Sequence, residues 1–244
     1  FRYTPDLFET QSINIEVGTL AGVPVMELKR TRLEGWGKII KRVFDIIGSA
    51  ILIILTSPLM LLIAIAIKLD SAGPIFFSHY DNNENLKRVG EHGKLFNYFK
   101  FRSMMPGTHD MRYNELSDLN LRSDGPLVKI KNDPRITRVG RFIRRYSFDE
   151  LPELFLVFTG KMSLVGPRPH FPEEVDKYQK HHKKSLMIRP GVTGLAQISG
   201  RSNLSFEDEV KLDAYYIENW SLKLDLQILF KTPLVVFRHS KTVC

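Results

Sequence analysis

The sequence predicts a mostly helical α+β protein that is anchored in a membrane by one broken, re-entrant helix. Three observations predict this fold class. An uncharged apolar run extends from Ile46 to Ile67, Ser57-Pro58 interrupts that run near its middle, and basic residues lie on both of its flanks. The rest of the chain combines amphipathic helical patterns with short alternating strands, which predicts interfacial helices around a small β element.

Length and composition restrict the class of protein further. The 244 residues carry 35 basic and 27 acidic side chains, for a formal net charge of +8. We therefore expect an anionic partner such as phospholipid, nucleic acid or a phosphorylated substrate. Cys244 is the only cysteine, which excludes an internal disulfide framework and a cysteine-based metal cluster. The chain begins with Phe1 rather than Met, so we expect a fragment or a processed chain.

The chain divides into three segments. Residues 1–34 contain an alternation at Ile13, Ile15 and Val17 that predicts a short strand, and we interpret this segment as the tail of an upstream module. Residues 35–73 are expected to form a membrane helix hairpin. Residues 74–244 are expected to form a cytoplasmic domain with interfacial helices.

The apolar run is long enough to cross a bilayer, which needs roughly 20 such residues. Pro58 nevertheless removes a backbone donor and kinks or breaks a helix, and the hydroxyls of Thr56 and Ser57 can satisfy the freed backbone groups. Basic flanks favour the cytoplasmic side, and these include Lys38, Lys41 and Arg42 before the run and Lys68, Lys87 and Arg88 after it. A helix that enters, bends at Ser57-Pro58 and returns satisfies both facts. A kinked spanning helix and a buried core helix are the alternatives.

Two strands are predicted after the membrane run. The first covers Pro74 to Tyr80, and the second covers Gly93 to Met104. In the second strand, alternation places Leu95, Asn97, Phe99 and Phe101 on one face and Lys100 and Arg102 on the other. Two cations backed by aromatic residues suit an anionic group, although a solvated strand face has the same pattern.

Residues 129–145 concentrate the positive charge of the chain. They hold seven basic residues and only one acidic residue, Asp133, which gives six of the eight net positive charges. Arg135, Arg138, Arg141 and Arg144 recur at helical spacing, so the segment predicts an amphipathic basic helix. Such a helix lies on an anionic membrane surface or binds phosphates. Nucleic acid is the rival partner, because arginine stripes also follow its backbone.

An acidic pair follows the basic segment directly. Leu151, Leu154, Phe155 and Phe158 repeat on one helix face, and Pro152 belongs in the first turn of that helix because it has no N–H. Asp149 and Glu150 would then lie at its positive end. Ordinary helix capping accounts for such a pair. A carboxylate held ionised beside an arginine stripe is also a plausible nucleophile toward phosphorus.

The remaining segments add cations in loops and two further helices. Two prolines stiffen the loop around Arg168 in GPRP, as recognition of phosphate by a guanidinium requires. A glycine-bearing segment ends at Arg201. Phe206 to Trp220 predicts a helix with Asp213 and Tyr216 on one face. The apolar stretch from Leu222 to Phe237 predicts a helix at the membrane interface.

Together these motifs resemble the bacterial sugar transferase family, the monotopic phosphoglycosyl transferases. The resemblance covers roughly Lys38 to Phe237. It is carried by an ordered set of motifs: KRVFDIIGSAILIILTSPLMLLIAIAIK, YFKFRSM, DPRITRVGRFIRRYSFDELPEL, MSLVGPRP, RPGVTGLAQISGR and LDAYYIENWSLKLDLQIL.

The resemblance implies an activity, with residues 74–244 as the catalytic domain. Asp149 and Glu150 match the family's catalytic dyad, and Ser57-Pro58 matches the bend of its re-entrant helix. Asp149 would attack the β-phosphorus of a UDP-sugar, UMP would leave, and a polyprenyl phosphate would take the sugar phosphate from the aspartate. Glu150 would bind metal or organise Asp149. The expected phosphate-binding set is Lys100, Arg102, Arg144, Arg168 and Arg201, with Asp213 in support.

The resemblance also implies a cofactor, partners and a location. We expect Mg²⁺ held in part by Asp149 and Glu150, a homodimer, and attachment to the bacterial inner membrane with the catalytic domain on its cytoplasmic face. The product would enter exopolysaccharide, O-antigen or capsule assembly. A membrane-surface binding protein without chemistry is the alternative. A nucleic-acid-binding protein would leave the apolar run unexplained, so we expect no nucleic acid partner.

Overall fold

The computed structural model describes residues 14–20, 23–29, 31, 33, 35–80, 82–112, 114–120, 124–128, 130, 132–200 and 204–239. Within these residues the protein is mostly helical with a few short strands, as the sequence predicts. The described part of the chain contains seven α-helices: α1 Trp36–Asp70, α2 Arg138–Arg145, α3 Glu153–Phe158, α4 Pro172–Val175, α5 Leu195–Ser199, α6 Phe206–Glu218 and α7 Leu222–His239.

The strands form four two-stranded sheets. In chain order they are β1 Asn14–Leu20, β2 Val23–Lys29, β3 Phe76–Phe77, β4 Lys87–Val89, β5 Leu95–Asn97, β6 Lys100–Phe101, β7 Ser163–Val165 and β8 Gly191–Thr193. β1 pairs with β2, β3 with β6 and β4 with β5, all antiparallel, while β7 and β8 are parallel. The predicted strand near residues 13–17 corresponds to β1, although Ile13 lies outside the described residues.

The predicted strand over residues 93–104 is divided into β5 and β6, and its two faces differ from the prediction. Phe96 and Tyr98 are buried, whereas Leu95 and Asn97 are exposed. Lys100 and Arg102 reach different partners rather than one shared anion. The prediction of one continuous strand was therefore wrong, because the chain changes partner strand between β5 and β6.

The long helix α1 has two opposite faces along its whole length. One face is buried against the rest of the protein, at Lys41, Asp45, Ser49, Met60, Ile63 and Ile67. The other exposes large apolar side chains, among them Trp36, Ile40, Val43, Ile47, Ile51, Ile54, Leu61, Ile65 and Leu69. This helix is long and apolar enough to cross a membrane by length and composition. Most of its apolar surface is exposed, which argues against a buried core helix.

The helical assignment of α1 continues through Pro58, so the two halves are not separate helices. Pro58 offers no N–H to the carbonyl of Ile54, four residues earlier. The hydroxyl of Ser57 donates to that carbonyl at 2.9 Å, and Thr56 donates to Leu52 O at 2.7 Å. Of the two predicted hydroxyls, Ser57 therefore compensates for the missing donor of Pro58, whereas Thr56 bonds to a carbonyl that Pro58 does not free.

A buried polar cluster holds the first half of α1 against the domain. Lys41 Nζ lies 2.7 Å from Asp225 Oδ2 in α7. Asp225 also accepts from the Tyr216 hydroxyl at 2.7 Å and from the Trp220 indole at 3.2 Å. Asp45 accepts from both the hydroxyl of Ser163 and the N–H of Leu164 at 3.0 Å.

The second half of α1 packs on apolar residues of β6 and α2. Met60, Ile63 and Ile67 form a cluster with Phe101 and Ile143. Beyond the end of this cluster, Asp70 Oδ2 accepts from the N–H of Val139 at 3.0 Å. Both halves of α1 therefore contact the same domain.

The basic segment is helical only from Arg138 to Arg145, because Thr137 begins the helix by accepting from Gly140 N. Arg135 precedes that helix and is buried, with Nη2 2.6 Å from Asp133 Oδ2 and with Nη1 donating to the carbonyls of Thr108 and His109. The prediction that Arg135 belongs to an exposed helical stripe was wrong. Its guanidinium instead holds the loop that precedes α2.

Glycine is required inside α2 by a close backbone approach. A Cβ at Gly140 would lie 1.9 Å from the carbonyl oxygen of Ser103. That carbonyl also accepts from Thr137 N at 3.2 Å. α2 therefore packs directly on the backbone that follows β6, which brings its arginines beside Lys100.

The charged residues 173–184 predict an exposed helix, but the structure has short turns there instead. Glu174 accepts from the N–H of Phe171 and begins α4, which ends at Val175. Gln179 N donates to His182 Nδ1 and begins a 3-10 segment over Lys180–Met187. Two separate side-chain caps thus divide the predicted helix. The helix predicted from Phe206 is confirmed as α6.

Substitution of Lys41 by Met should destabilise the protein by about 3–5 kcal/mol, because it leaves the Asp225 carboxylate buried without its cation. The measurement is urea unfolding in detergent micelles followed by circular dichroism. Lys38→Met is the matched control, since Lys38 pairs with Glu91 on the surface and its loss should cost less than about 1 kcal/mol. Equal losses in the two variants would contradict the anchoring role of Lys41.

Candidate active site

A 3-10 turn between α2 and α3 presents the Asp-Glu pair. The turn covers Phe148–Glu150 and follows Ser147, whose φ of 55° is left-handed. The ring of Phe148 stacks on that of Tyr146 with centroids 5.7 Å apart, and Phe148 also packs on the apolar cluster around Met60 of α1. Aromatic packing against the membrane helix therefore fixes the position of this turn.

The helix that follows begins later than predicted. α3 starts at Glu153, and Pro152 occupies its N-cap position rather than its first turn. Ser147 makes no side-chain capping bond. Asp149 directs its carboxylate at a lysine from β6. The prediction that Asp149 and Glu150 lie at the start of this helix was therefore wrong, because they lie in a separate 3-10 turn just before it.

Asp149 is 5% exposed and lies beside a cation. Lys100 Nζ is 3.1 Å from Asp149 Oδ2. The residue next to Lys100, Phe101, is buried on the opposite face of β6, so strand alternation aims Lys100 at the turn. The contact with this ammonium group fixes the direction of the Asp149 carboxylate. This arrangement provides an oriented oxygen nucleophile.

Glu150 pairs with the arginine of the stiff loop. Arg168 Nη2 lies 2.7 Å from Glu150 Oε1, and the negative charge of Glu150 raises the pKa of Arg168. The loop is held to β8 by backbone bonds, from Gly166 N to Thr193 O and from Gly191 N to Pro167 O. Because the Arg168 side chain is 41% exposed, its guanidinium is accessible to a soluble anion.

A third carboxylate, Glu153, lies beneath the pair and was missed by the sequence interpretation. It is buried, and the hydroxyl of Tyr98 donates to its Oε1. Burial, with a smaller contribution from Glu150, raises the pKa of Glu153 to about 8. The signal was present in the sequence, because Glu153 follows Asp149 by four residues and so falls near it in a helical turn.

A cavity of about 1300 Å³ opens above the turn. Asp149 and Glu150 line it, and so do basic side chains from β6, α2 and the GPRP loop, namely Lys100, Arg102, Arg141, Arg144, Arg145 and Arg168. The α2 arginines at 141, 144 and 145 are exposed. Such a site concentrates positive charge around one carboxylate nucleophile, which suits an anionic phosphate substrate.

Arg102 lines the cavity but already has protein partners. Its Nη1 donates to Ala72 O and its Nη2 to Ser71 O, both at 2.7 Å. These carbonyls directly follow the C-terminus of α1, so Arg102 holds the end of that helix. Its role in phosphate binding stays a prediction.

Two other predicted residues are placed less directly. Asp213 is buried in α6, and burial together with Glu209 raises its pKa. Glu209, one turn earlier, lines the cavity, whereas Asp213 is not among the described residues that line it. Asp213 shares a buried helix face with Tyr216, as predicted. Arg201 lies outside the described residues.

The donor chemistry of the Asp149-Glu150 pair fits Mg²⁺. This ion is usually bound by one or two carboxylates together with substrate phosphates and water. Asp149 and Glu150 are adjacent in one turn and face the same cavity. Both carboxylates are paired with cations in this structure. An anionic ligand that bound those cations would leave the carboxylate oxygens available to a metal ion.

A second possible metal cluster, at His181, His182 and Glu207, is explained by hydrogen bonds. Their ligand atoms lie within 4.8 Å of one another. His182 Nδ1 accepts from the N–H of Gln179 at 3.1 Å, so in the neutral ring Nε2 carries the proton and donates it to Glu207 Oε1 at 2.7 Å. A metal at Nε2 would require loss of that proton and of this bond.

Comparisons with known proteins agree with these motifs. The family model described as bacterial sugar transferase matches residues 36–239. The chain is 42% identical over 220 residues to an undecaprenyl-phosphate galactose phosphotransferase of Salmonella typhimurium, covering 89% of this chain and 44% of that protein. It is 42% identical over 220 residues to an undecaprenyl-phosphate glucose phosphotransferase of Komagataeibacter xylinus, covering 84% of this chain and 37% of that protein.

A shorter relative is similar over most of its own length. The exopolysaccharide production protein ExoY of Rhizobium meliloti is 39% identical over 198 residues, covering 80% of this chain and 84% of that protein. The chain thus spans less than half the length of the two phosphotransferases it matches. The matched part contains α1 and the whole acidic turn.

Glu153 should make stability fall as pH rises. The unfolded chain loses this proton near pH 4.5, and the folded chain keeps it to about pH 8, so unfolding becomes easier between these values by up to about 1.4 kcal/mol per pH unit. Glu153→Gln removes this slope and keeps an acceptor for Tyr98. The slope is measured as the difference between the free energies of unfolding at pH 5 and at pH 8. The exposed Glu84→Gln is the control and should keep the wild-type slope, and an unchanged slope in Glu153→Gln would refute the assignment.

Proposed function

The chain belongs to the bacterial sugar transferase family, and on this premise we propose that it transfers a sugar 1-phosphate from a UDP-sugar to a polyprenyl phosphate. The observation that carries the proposal is the buried carboxylate of Asp149, 3.1 Å from the ammonium group of Lys100 in a cavity rich in arginine. Phosphoryl transfer needs mainly positioning and charge stabilisation around an in-line nucleophile. This arrangement supplies both.

The first half-reaction forms a covalent intermediate. An oxygen of Asp149 attacks the β-phosphorus of the UDP-sugar, and the bond from that phosphorus to the oxygen bridging the α-phosphorus breaks, which releases UMP. Lys100, Arg168 and Arg144 neutralise the charge that develops on the diphosphate. Arg201 belongs to the same predicted set.

The second half-reaction regenerates the carboxylate. A phosphate oxygen of the polyprenyl phosphate attacks the phosphorus held by Asp149, the bond between that phosphorus and the aspartate oxygen breaks, and polyprenyl-diphospho-sugar leaves. Mg²⁺, held by Asp149 and Glu150, would supply further positive charge to the diphosphate. Glu150 also orients Arg168 through their 2.7 Å ion pair.

Attachment to one side of the membrane is part of the proposal. Ser49 and Met60 are the two buried residues nearest the middle of α1. The stretch between them, residues 50–59, contains no fully buried residue and is about 15 Å long at 1.5 Å per residue. A spanning segment needs about 30 Å clear of the domain. The contacts at Asp45 and at Asp70, near the two ends of the run, are made with the same domain. These contacts support a helix that enters and returns.

Exposed apolar side chains on other helices support the same orientation. α7 exposes Leu222, Leu226, Phe230, Leu234 and Phe237 at intervals of three or four residues, which forms one apolar stripe. α3 exposes Phe155 and Phe158. An interfacial location for these helices would bring the basic cavity to the level of lipid headgroups. The inner membrane with the cytoplasmic face, entry into polysaccharide assembly, and the homodimer remain parts of the proposal.

The alternative is a membrane-surface binding protein without chemistry. It explains the exposed apolar stripes and the basic helix α2. It does not explain why Asp149 is buried opposite Lys100 in a large cavity. The transferase is therefore the function that the geometry supports best.

Asp149→Asn should abolish UMP release from a panel of UDP-sugars in the presence of undecaprenyl phosphate, by more than about 10³-fold, because the amide is a poor nucleophile. Without lipid, the wild-type protein should gain the mass of one sugar-phosphoryl group and the variant should not. The exposed Asp176→Asn is the matched control and should keep full turnover. Full turnover in Asp149→Asn would refute Asp149 as the nucleophile. If the wild type binds vesicles but releases no UMP, the result would favour a membrane-surface binding protein without chemistry.

Single cysteines in a Cys244→Ser background test the path of α1. Trp36→Cys lies at its start and Ala72→Cys follows its end, and both positions are exposed. We expect both to react with a membrane-impermeant maleimide added from the cytoplasmic side. Reaction of only one of them would show that the helix spans the bilayer.

A further inference from the structure

A group of aromatic rings occupies one side of the active-site cavity. The ring centroid of His109 lies 5.6 Å from that of Phe77, 5.0 Å from that of Tyr80 and 5.6 Å from that of Phe171. We call Phe77, Tyr80, His109 and Phe171 the ring cluster, and all four line the cavity that contains Asp149. No step of the proposed transfer uses them.

Three members of the ring cluster retain accessible surface. Phe171 is 5% exposed, and the Arg88 guanidinium lies 3.3 Å from its centroid, so one face of Phe171 is already covered. Phe77, Tyr80 and His109 are only half-buried. Their rings remain the part of the cluster that a ligand in the cavity can contact.

Strand register places the ring cluster beside the cation of the active site. Phe77 in β3 lies directly opposite Lys100 in β6. Residues that are directly opposite in an antiparallel pair point to the same face, with Cβ atoms about 4.5–5.5 Å apart. Because Lys100 contacts Asp149, the rings, the ammonium group and the nucleophile follow one another along the cavity.

The opposite face of β3 is directed at the membrane helix. Phe76 is adjacent to Phe77 and therefore points the other way. Its ring stacks on Phe101 with centroids 5.4 Å apart, and Phe101 packs against Met60 and Ile63 of α1. A polyprenyl chain that approaches along α1 would meet Phe76, which also lines the cavity, whereas Phe77 points to the other face of the strand.

We propose that Phe77, Tyr80 and His109 form the subsite for the nucleobase of the donor nucleotide, with the diphosphate extending past Lys100 to Asp149. The assignment rests on the proposed function, which supplies a uridine nucleotide as donor. Every base has a π-face that stacks on aromatic side chains. The order base, diphosphate and sugar in the donor matches the order rings, Lys100 and Asp149 in the cavity.

The test compares UMP with ribose 5-phosphate, which lacks the base, in calorimetric titrations of the full chain in detergent micelles. The wild type should bind UMP at least about 10-fold more tightly than ribose 5-phosphate. Phe77→Leu keeps an apolar side chain but removes the ring. It should lose most of that preference, leave the affinity for ribose 5-phosphate unchanged, and raise the KM for the UDP-sugar without raising the KM for the lipid.

Phe99→Leu is the matched control, because it removes a ring next to Lys100 that is not among the described residues lining the cavity. It should keep the full preference for UMP. Tyr80→Leu is the second test variant, should Phe77→Leu fail to fold, and should also lose preference. Thermal melting of each variant separates loss of binding from loss of structure.

The outcomes separate this subsite from the proposed function. If Phe77→Leu and Tyr80→Leu keep the wild-type preference for UMP, the subsite is overturned and the transferase stands. If both variants weaken the two ligands equally, the rings serve only the fold and the subsite is again overturned. If the wild type binds ribose 5-phosphate and UMP equally, there is no base subsite in this cavity. If it binds neither, the donor itself is wrong.

Discussion

The buried contact between Lys41 and Asp225 is the interaction on which the rest of the structure depends. It joins the first half of the membrane helix α1 to α7 through a 2.7 Å ion pair, and Tyr216 and Trp220 donate to the same carboxylate. Charges taken out of water are tolerated only when they are paired and hydrogen-bonded. The network therefore permits one docking position for an apolar helix that could otherwise slide along an apolar surface.

Docking of α1 in turn creates the active site. With its first half fixed, its second half presents Met60 and Ile63 to Phe101 and Ile143. The same apolar surface receives Phe148 and so holds the turn that carries Asp149. The long apolar helix and the turn that carries Asp149 thus belong to one packing unit. Under the proposed function, this unit would keep the nucleotide site at the membrane surface.

Each carboxylate of the acidic turn is paired with one cation of the site. Asp149 pairs with Lys100, and Glu150 pairs with Arg168. A diphosphate competes for both cations, because phosphate oxygens bind ammonium and guanidinium groups at least as well as carboxylates do. Binding would therefore transfer the cations to the substrate and expose the Asp149 oxygen to phosphorus. The pKa of Glu153, raised by burial beneath the pair, keeps this carboxyl mostly protonated at neutral pH.

The sequence by itself determined the elements and the site residues that local patterns encode. The apolar run, the Ser57 hydroxyl beside Pro58, the helix from Phe206 and the order of the Asp-Glu and GPRP motifs follow from periodicity, backbone chemistry and family resemblance. Tertiary structure alone decided the partners. In the folded protein Arg102 donates to a carbonyl just after α1, Arg135 donates to Asp133, and Tyr98 donates to Glu153. The local sequence around each of these residues is equally compatible with a side chain exposed to solvent. Only long-range packing buries them, so their partners could not be predicted from local sequence.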